Sequence, residues 1–474
     1  MKKPDLRSFL RKYYVLLAIF LIGTFLRFYR LPKMASFDFD QEYASNFAFS
    51  VLREFPIQMI GQGLSVQGLF VGPWYFYFLV PFYALSGLHP LGGAIGSVVL
   101  GLITIIAYYY FGNKIFGKPT GLIAAFFKAV LFRNLVDDWS ITPAFSCGLM
   151  VIVTWYCLYK YWQGEIKHLP LLGFVFGLFT SFHPILFPFY FVFLIIFVIK
   201  RIFPNFKIFL LTVIAFVFPL VPLIAFECLH RFTEVKLLLE IFTTPRMISG
   251  GSSFFSKLAS FSLIILGGPQ YILGLKFYPG YLLSAIILGI LLFFTIKKIH
   301  IWKDNFHLWA TIITFLTFIF YYSFFPVPVI SYYLSAPVTL FVFYLAGILG
   351  YLSTNKYLRP FVVIFLICLV FVNFKILINE RWLNPSLITL SHKDKIVKVI
   401  LEKQPKEKDF FVSYLTSPGW NFGFNYLFKL YGRIPEDKAV NNYIYTIVSP
   451  KQLSPDSINF SSGNIGLIYT DGVQ

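Results

Sequence analysis

Apolar stretches that approach the length needed to cross a membrane recur along the chain and limit its fold more than any other feature. Residues 14–28 and 91–111 are two of them, and a helix needs roughly 20 apolar residues to cross a ~30 Å hydrocarbon core. In the whole chain, 58% of the residues are hydrophobic and 13% are charged, whereas about 25% are charged in soluble proteins. The sequence therefore predicts a polytopic membrane protein built from helices.

Basic residues lie mostly in short segments between these apolar stretches. The net charge of +19 would suggest nucleic acid as the partner of a soluble chain. In a membrane protein, Lys and Arg in short loops mark the cytoplasmic side instead, so we expect lipid headgroups, and no nucleic acid, as partners. The segments placed in the cytoplasm are residues 1–12, 113–118, 160–168, 200–207, 297–305 and 353–359.

The segment of residues 69–86 is apolar, but this charge pattern leaves no room for it as a crossing. Residues 38–68 must lie outside, and residues 91–111 must run inward to the basic turn at Lys114. Pro73, Pro81 and several aromatic residues favour a juxtamembrane helix at the interface. The alternative is that one basic loop lies on the other side. The expected crossings, about eleven at roughly 20 residues each, are residues 14–28, 91–112, 119–133, 141–160, 169–182, 184–200, 206–226, 281–297, 307–325, 329–352 and 359–378.

The basic segment of residues 1–12 places the N-terminus in the cytoplasm, and an odd number of crossings then leaves the C-terminus outside the cell. From residue 379 onward the chain is rich in charge and has no further spanning run. A helix near residues 393–402 and β-like runs at 410–415 and 443–448 predict a small α/β domain there. The predicted fold is thus an all-α polytopic domain, residues 1–378, with outer loops at 29–90 and 227–280, followed by a soluble extracytoplasmic domain, residues 379–474.

Three carboxylates stand close together in the first outer loop. Asp38, Asp40 and Glu42 follow the first helix and precede an amphipathic run to Arg53. If that run is helical, an acid at its start caps free backbone N–H groups and is favoured by the helix dipole. A carboxylate at the membrane boundary could also act as a general base toward a hydroxyl or amine. These three acids are our candidate catalytic residues.

A second acidic pair lies in another outer turn. Asp137 and Asp138 could bind substrate, and Asp138 could hold a divalent cation together with Asp40. They could equally hydrate the turn and pair with Arg133. No metal is certain; Mg²⁺ or Mn²⁺ is the ion such acids would take.

Other candidate substrate-binding residues are a histidine and two cations. His183 lies between two helices, where it could donate to a phosphate or simply end a helix. Lys128 lies within an apolar helix, where its ammonium could snorkel outward or face a cavity. Arg246 lies in a polar stretch, between Thr243-Thr244-Pro245 and Ser249-Gly250-Gly251-Ser252, that could wrap a phosphate-bearing ligand, although ordinary headgroup contacts also explain such charges.

The order of these features resembles that of the GT-C glycosyltransferases of the protein O-mannosyltransferase and aminoarabinose-transferase group, the family 39-like enzymes. The resemblance rests on residues 26–32 (LRFYRLP), Asp40-Gln41-Glu42, residues 72–77 (GPWYFY) and residues 109–121 around Phe116-Gly117-Lys118. It covers about the first 200 residues by motif and the remainder by architecture.

The resemblance implies transfer of a sugar from a polyprenyl-phosphate donor on the outer face, with inversion at the anomeric carbon. In the family, an Asp-Glu pair opens the first outer loop, and its Asp acts as the base or orients the acceptor. Asp40 matches that Asp, but Gln41 stands at the position of the Glu, so a second carboxylate would have to come from Glu42 or Asp38. Asp138 stands where the family often has an Arg. The aromatic segment that contains Tyr75 lies beside the active site in related enzymes, which makes Tyr75 a candidate substrate contact.

The leading hypothesis from the sequence is a membrane glycosyltransferase in the cell envelope. Asp40 would deprotonate a lipid, glycan or protein acceptor, basic residues would stabilise the departing lipid phosphate, and no cofactor would be required. A flippase for lipid-linked saccharides is the alternative, and a non-catalytic assembly partner is a third. A flippase would need charged residues along several helices, yet apart from Lys128 the spans contain almost none.

Overall fold

The computed structural model describes residues 6–55, 57–64, 66–243, 254–275, 279–299, 304–324, 331–438 and 443–469. The chain forms a helical bundle followed by a small mixed α/β domain. The helices of the bundle are α1 (Leu6–Phe28), α2 (Leu31–Met34), α3 (Phe39–Arg53), α4 (Trp74–Leu85), α5 (Leu91–Phe116), α6 (Lys118–Val130), α7 (Phe132–Trp139), α8 (Gly148–Trp162), α9 (Leu169–Phe182), α10 (Pro188–Lys200), α11 (Phe206–Leu229), α12 (Thr233–Thr243), α13 (Phe254–Ile272), α14 (Leu282–Ile296), α15 (Phe306–Phe324), α16 (Ser335–Leu352) and α17 (Arg359–Leu377).

The predicted crossings all fall on helices of this bundle, namely α1, α5, α6, α8 to α11 and α14 to α17. Among the described residues, 5 helices are long and apolar enough to cross a membrane by themselves, or 6 if α6 and α7, bent by 60° at Leu131, count as one span. Predicted crossings also fall on shorter apolar helical stretches, Tyr13–Phe28, Ile166–Phe182, Pro184–Lys200 and Leu282–Ile296. The all-α polytopic fold expected from the sequence is confirmed.

Helix α4 does not cross the bundle. It has 12 residues and is therefore about 18 Å long at 1.5 Å per residue. Just before it, the Gly72 amide donates to the Thr180 carbonyl at the end of α9. Just after it, the Leu88 carbonyl accepts from the Tyr426 hydroxyl of the C-terminal domain. Both ends of α4 thus lie on the side of the bundle that carries the C-terminal domain, as the charge pattern required.

The stretch of residues 227–280 differs from its predicted form as a long outer loop. It contains α12 and the 19-residue helix α13, and α13 packs against α14, α15 and α16 within the bundle. Short polar residues such as Ser256, Ser260 and Ser262 interrupt its apolar sequence. The stretch is predicted as one outer loop because it lies between the basic segments 200–207 and 297–305, and loop charge does not reveal a helix that packs inside the bundle.

The C-terminal domain pairs two helices with one small sheet. Its elements are α18 (Leu390–Lys403), β1 (Phe411–Thr416), α19 (Phe424–Leu430), β2 (Ile444–Ser449), β3 (Phe460–Ser462) and β4 (Ile465–Tyr469). The strand order is β1-β2-β4-β3, with β1 and β2 parallel and the other pairs antiparallel. The predicted helix and both predicted strands are present, each within three residues of its expected bounds.

Candidate functional site

Asp40 lies in the first turn of α3, at the edge of the bundle that faces the C-terminal domain. The helix begins after Asp38, whose backbone N–H donates to the Gln41 side-chain oxygen at 2.8 Å. Such a contact between the cap residue and the third helical residue is typical of a helix start. The half-buried carboxylate of Asp40 accepts from Gln62 Nε2 at 2.5 Å and from Thr142 Oγ1 at 3.2 Å. Its two oxygens are therefore held by residues from two distant parts of the chain.

A cavity of about 240 Å³ opens beside this carboxylate, and we call it the Asp40 cavity. Asp40 is the one acid among the described residues that line it. Its lining also includes Phe39, Gln62, Thr142, His183 and Tyr332. The sequence reasoning missed Gln62 and Thr142, since neither polar side chain stands out in sequence.

His183 lines the Asp40 cavity as a neutral imidazole. It follows the last residue of α9, and its Nδ1 accepts from the Ile185 N–H at 3.3 Å. Burial lowers the pKa of His183 to about 3, because a charged imidazolium is disfavoured away from water. The proton therefore resides on Nε2, which makes His183 a hydrogen-bond donor but not a cation.

Glu42 and Asp38 have other partners than Asp40. Helix geometry turns the chain by about 100° per residue, so Glu42 projects from the opposite side of α3. The buried Glu42 carboxylate accepts from the backbone N–H groups of Gly423 and Tyr426, both at 2.9 Å. Asp38 accepts from Lys393 Nζ at 2.7 Å. The structure thus brings neither acid to the Asp40 cavity, contrary to their expected place beside Asp40 in catalysis.

Asp138 is the centre of a buried ion cluster. One oxygen accepts from Arg27 Nε at 2.8 Å, and the other accepts from Lys128 Nζ at 2.8 Å. Arg27 is fully buried and also donates to the carbonyls of Gly23, Ala129 and Lys128. Two cations already satisfy this carboxylate, so the expected pairing of Asp138 with Asp40 around a divalent ion finds no support in the geometry. Among the described residues no three His, Cys, Asp or Glu side chains converge on a metal position.

Arg27 is not among the site residues predicted from the sequence, although an arginine in an apolar helix is a strong signal of a functional or paired charge. Charged residues within membrane helices are costly and usually face a partner or a functional cavity. Arg27 stands one residue from the end of α1, which made it resemble an ordinary interfacial residue.

A second, larger cavity of about 420 Å³ lies beside the first, and we call it the amphipathic cavity. Lys128, Arg133, Asn134 and Asp137 form its polar end, and residues of α13 and α16, such as Ile264 and Val338, form apolar walls. Arg133 Nε lies 3.0 Å from Asp137 Oδ1, so Asp137 is paired as one of the sequence alternatives expected.

The two cavities adjoin. Ala144 and Tyr332 line both of them. Arg133 lies over the Phe145 ring, and Phe145 packs against Tyr332, so a molecule with an apolar tail and a charged head would place its head near the wall that the two cavities share.

Two candidate residues remain. Tyr75 is buried against Phe182, with 5.8 Å between the ring centroids. It does not line either cavity, contrary to its expected role as a substrate contact. Arg246 lies outside the described residues.

Comparison with known proteins identifies the fold and a family match over part of the chain. Residues 71–225 match the family model described as dolichyl-phosphate-mannose-protein mannosyltransferase. No curated protein sequence matches the chain.

Two solved structures share the architecture over nearly their whole length. One is ArnT from Cupriavidus metallidurans bound to undecaprenyl phosphate, at 12% identity and a TM-score of 0.61, with 97% of this chain and 98% of that chain covered. The other is the same enzyme in the apo state, at 12% identity and a TM-score of 0.62, with 98% and 99% covered. The chain therefore has the GT-C fold, and its residues 71–225 match the model of the mannosyltransferase family.

Proposed function

We propose that this protein is a membrane glycosyltransferase that moves a sugar from a polyprenyl-phosphate donor to an acceptor, with Asp40 as the general base. The observation that carries the proposal is the junction of two cavities, one with a single held carboxylate and the other with an apolar body and a cationic end. A lipid-phosphate sugar would place its prenyl tail, its phosphate and its sugar in that order across the junction. The likeness to a structure bound to undecaprenyl phosphate supports this choice of donor.

Basic residues at the polar end of the amphipathic cavity suit the donor phosphate. Lys128 lines the cavity, and the cluster that it forms with Arg27 and Asp138 holds two cations and one carboxylate, hence a net charge of +1. Arg133 offers a planar guanidinium that suits phosphate oxygens. Charge develops on the phosphate as the glycosidic bond breaks, so fixed cations there stabilise the transition state more than the ground state.

In this proposal, Asp40 takes the proton of the acceptor on the side of the sugar opposite the phosphate. The acceptor oxygen or nitrogen attacks the anomeric carbon, its proton passes to the Asp40 carboxylate, and the bond from that carbon to the phosphate oxygen breaks. Attack from the side opposite the phosphate inverts the anomeric configuration. Gln62 and Thr142 hold the carboxylate, and the His183 Nε2–H is a donor for a sugar hydroxyl. A divalent ion is not needed for this step, because the lipid phosphate is itself a good leaving group.

The side of the membrane on which this occurs follows from charge. The basic segments lie in turns of the bundle such as residues 113–118, whereas Asp40 and the C-terminal domain share the opposite side. By the positive-inside rule, we assign the Asp40 side to the extracytoplasmic face and the N-terminus to the cytoplasm.

The experiment supplies radiolabelled polyprenyl-phosphate sugars to the protein in liposomes and compares wild type with Asp40→Asn. We expect transfer by wild type and a loss of about 100-fold or more in kcat for the variant, since general-base catalysis contributes roughly 10²–10⁴-fold. Glu54→Gln, an exposed acid at the end of the same helix, is the matched control. Transfer that is unaffected by Asp40→Asn would contradict the role of Asp40. Movement of intact donor between leaflets without transfer would support the flippase instead.

The described charges disfavour that second function. Arg27, Lys128 and Asp138 form one closed cluster near the ends of α1 and α6. A flippase path would need charged groups along the depth of the bundle.

A further inference from the structure

The C-terminal domain is joined to the first turn of α3 by a lysine that is almost completely buried. Lys393 of α18 is 1% exposed, and its Nζ donates to the Phe37 carbonyl at 2.7 Å, to Asp38 Oδ1 at 2.7 Å and to the Phe422 carbonyl at 2.8 Å. An ammonium has three N–H groups, and these three acceptors use all of them. Two acceptors belong to the residues just before α3, and the third belongs to the C-terminal domain itself.

Glu42, four residues after Asp38, forms the second junction between α3 and the C-terminal domain. Its two carboxylate oxygens accept from the N–H groups of Gly423 and Tyr426 at the start of α19. Gly423 has a φ of 89°, and a Cβ atom there would lie 2.6 Å from the Phe37 carbonyl oxygen. A glycine is therefore required for the two segments to approach so closely.

We propose that these two junctions form a latch through which the C-terminal domain sets the position of Asp40, with Lys393 and Glu42 as positioning residues. The latch rests on the proposed function of Asp40. Asp40 lies midway between the two junctions at Asp38 and Glu42, and it projects toward the cavity while they hold the neighbouring backbone. Asp38 and Gln41 cap the start of α3 locally, and Lys393 and Glu42 hold this capped end against the C-terminal domain.

The same interface provides a matched control. Lys429 of α19 lies 3.3 Å from Glu54 at the far end of α3, and both side chains are substantially exposed. This ion pair also joins the two domains, but it is solvated and remote from Asp40. Exposed pairs contribute little, so the latch predicts different outcomes for the two lysines.

The kinetic test compares Lys393→Met and Glu42→Gln with Lys429→Met in the transfer assay. We expect kcat to fall about 10- to 100-fold for the first two variants, because small displacements of a catalytic group cost up to about 10²-fold. The KM for the donor should stay within about threefold, since the amphipathic cavity is not touched. Lys429→Met should retain wild-type kcat. Wild-type kcat in both latch variants, or an equal loss in Lys429→Met, would overturn the proposal.

Amide hydrogen exchange on the same purified proteins tests the latch without relying on activity. The latch predicts that Lys393→Met and Glu42→Gln raise exchange in residues 37–43 and 422–427 while exchange in α16 stays as in wild type. If Lys393→Met does not fold, Glu42→Gln, which preserves side-chain size, decides the matter. Unchanged exchange at residues 37–43 in a folded variant would refute the latch. Absence of transfer by wild type, with exchange as expected, would instead refute the proposed function alone.

Discussion

The carboxylate of Asp138 lies 2.8 Å from Lys128 Nζ and 2.8 Å from the Arg27 guanidinium, and all three groups are buried. These residues come from α7, α6 and α1. The cluster therefore ties three helices together at the bend between α6 and α7, on the wall of the amphipathic cavity. The cluster thus stabilises the helix packing, and its net positive charge also favours a bound anion.

Asp138→Asn should strongly destabilise the protein, because the change leaves two buried cations without their counter-charge. Breaking a buried ion pair from one side costs about 3–5 kcal/mol. Thermal unfolding in detergent measures the effect, with Asp137→Asn as the neighbouring control whose partner Arg133 is partly exposed. Equal unfolding temperatures for Asp138→Asn and wild type would show that the cluster does not hold the helices.

Gly101→Ala tests the same cluster without changing any charge. A Cβ atom at Gly101 would overlap the Asp138 carboxylate, and the side chain could not withdraw without leaving Arg27 and Lys128. We expect a destabilisation of about 1–3 kcal/mol, typical of overpacking, seen as a lower unfolding temperature. Gly289→Ala, at a helical glycine with open space around it, should leave the unfolding temperature unchanged or raise it.

The helices and their order could be predicted from the sequence because apolar length and loop charge are local properties. The charges of the flanking segments also excluded α4 as a crossing. Helix α13 could not be predicted this way, because loop charge assigns the whole stretch between the basic segments 200–207 and 297–305 to one side and does not reveal a helix that packs against α14, α15 and α16.

The site was predictable only in part. Asp40 was identified as the acid to test, and the structure places it in a cavity. Glu42 and Asp38 were expected to support Asp40, because the sequence does not show that their partners Gly423 and Lys393 lie more than three hundred residues away. Their separation could have been anticipated from the 100° turn per residue, which places Asp40 and Glu42 on different sides of one helix.

Arg133→Gln should weaken use of the donor, because it removes the guanidinium that we assign to the lipid phosphate. A hydrogen bond to a charged group contributes about 1.5–3 kcal/mol, so kcat/KM should fall about 10- to 100-fold. The assay is transfer at varied donor concentration.

The variant Arg133→Gln also frees Asp137, and a second substitution separates the two causes. Arg133→Gln combined with Asp137→Asn removes both charges. If the combined variant regains wild-type kcat/KM, the loss came from the unpaired carboxylate and the phosphate role of Arg133 is wrong. Arg53→Gln, at the exposed end of α3, controls for a general loss of positive charge.

Glu234 of α12 lies outside the membrane-spanning helices. Its carboxyl group predicts that the stability of the protein depends on pH. Burial, and to a lesser extent the neighbouring Glu227, raise the pKa of Glu234 to about 7, against an opposing hydrogen bond from the Phe70 N–H. A carboxyl whose pKa is higher in the folded state binds more protons when folded, so stability should fall as the pH rises from about 4.5 to about 7. Glu234→Gln mimics the protonated form and should raise the unfolding temperature at pH 8 but not at pH 4.5. Glu240→Gln, on an exposed position of the same helix, should shift neither, and an equal gain from Glu234→Gln at both pH values would contradict titration of Glu234 as the cause.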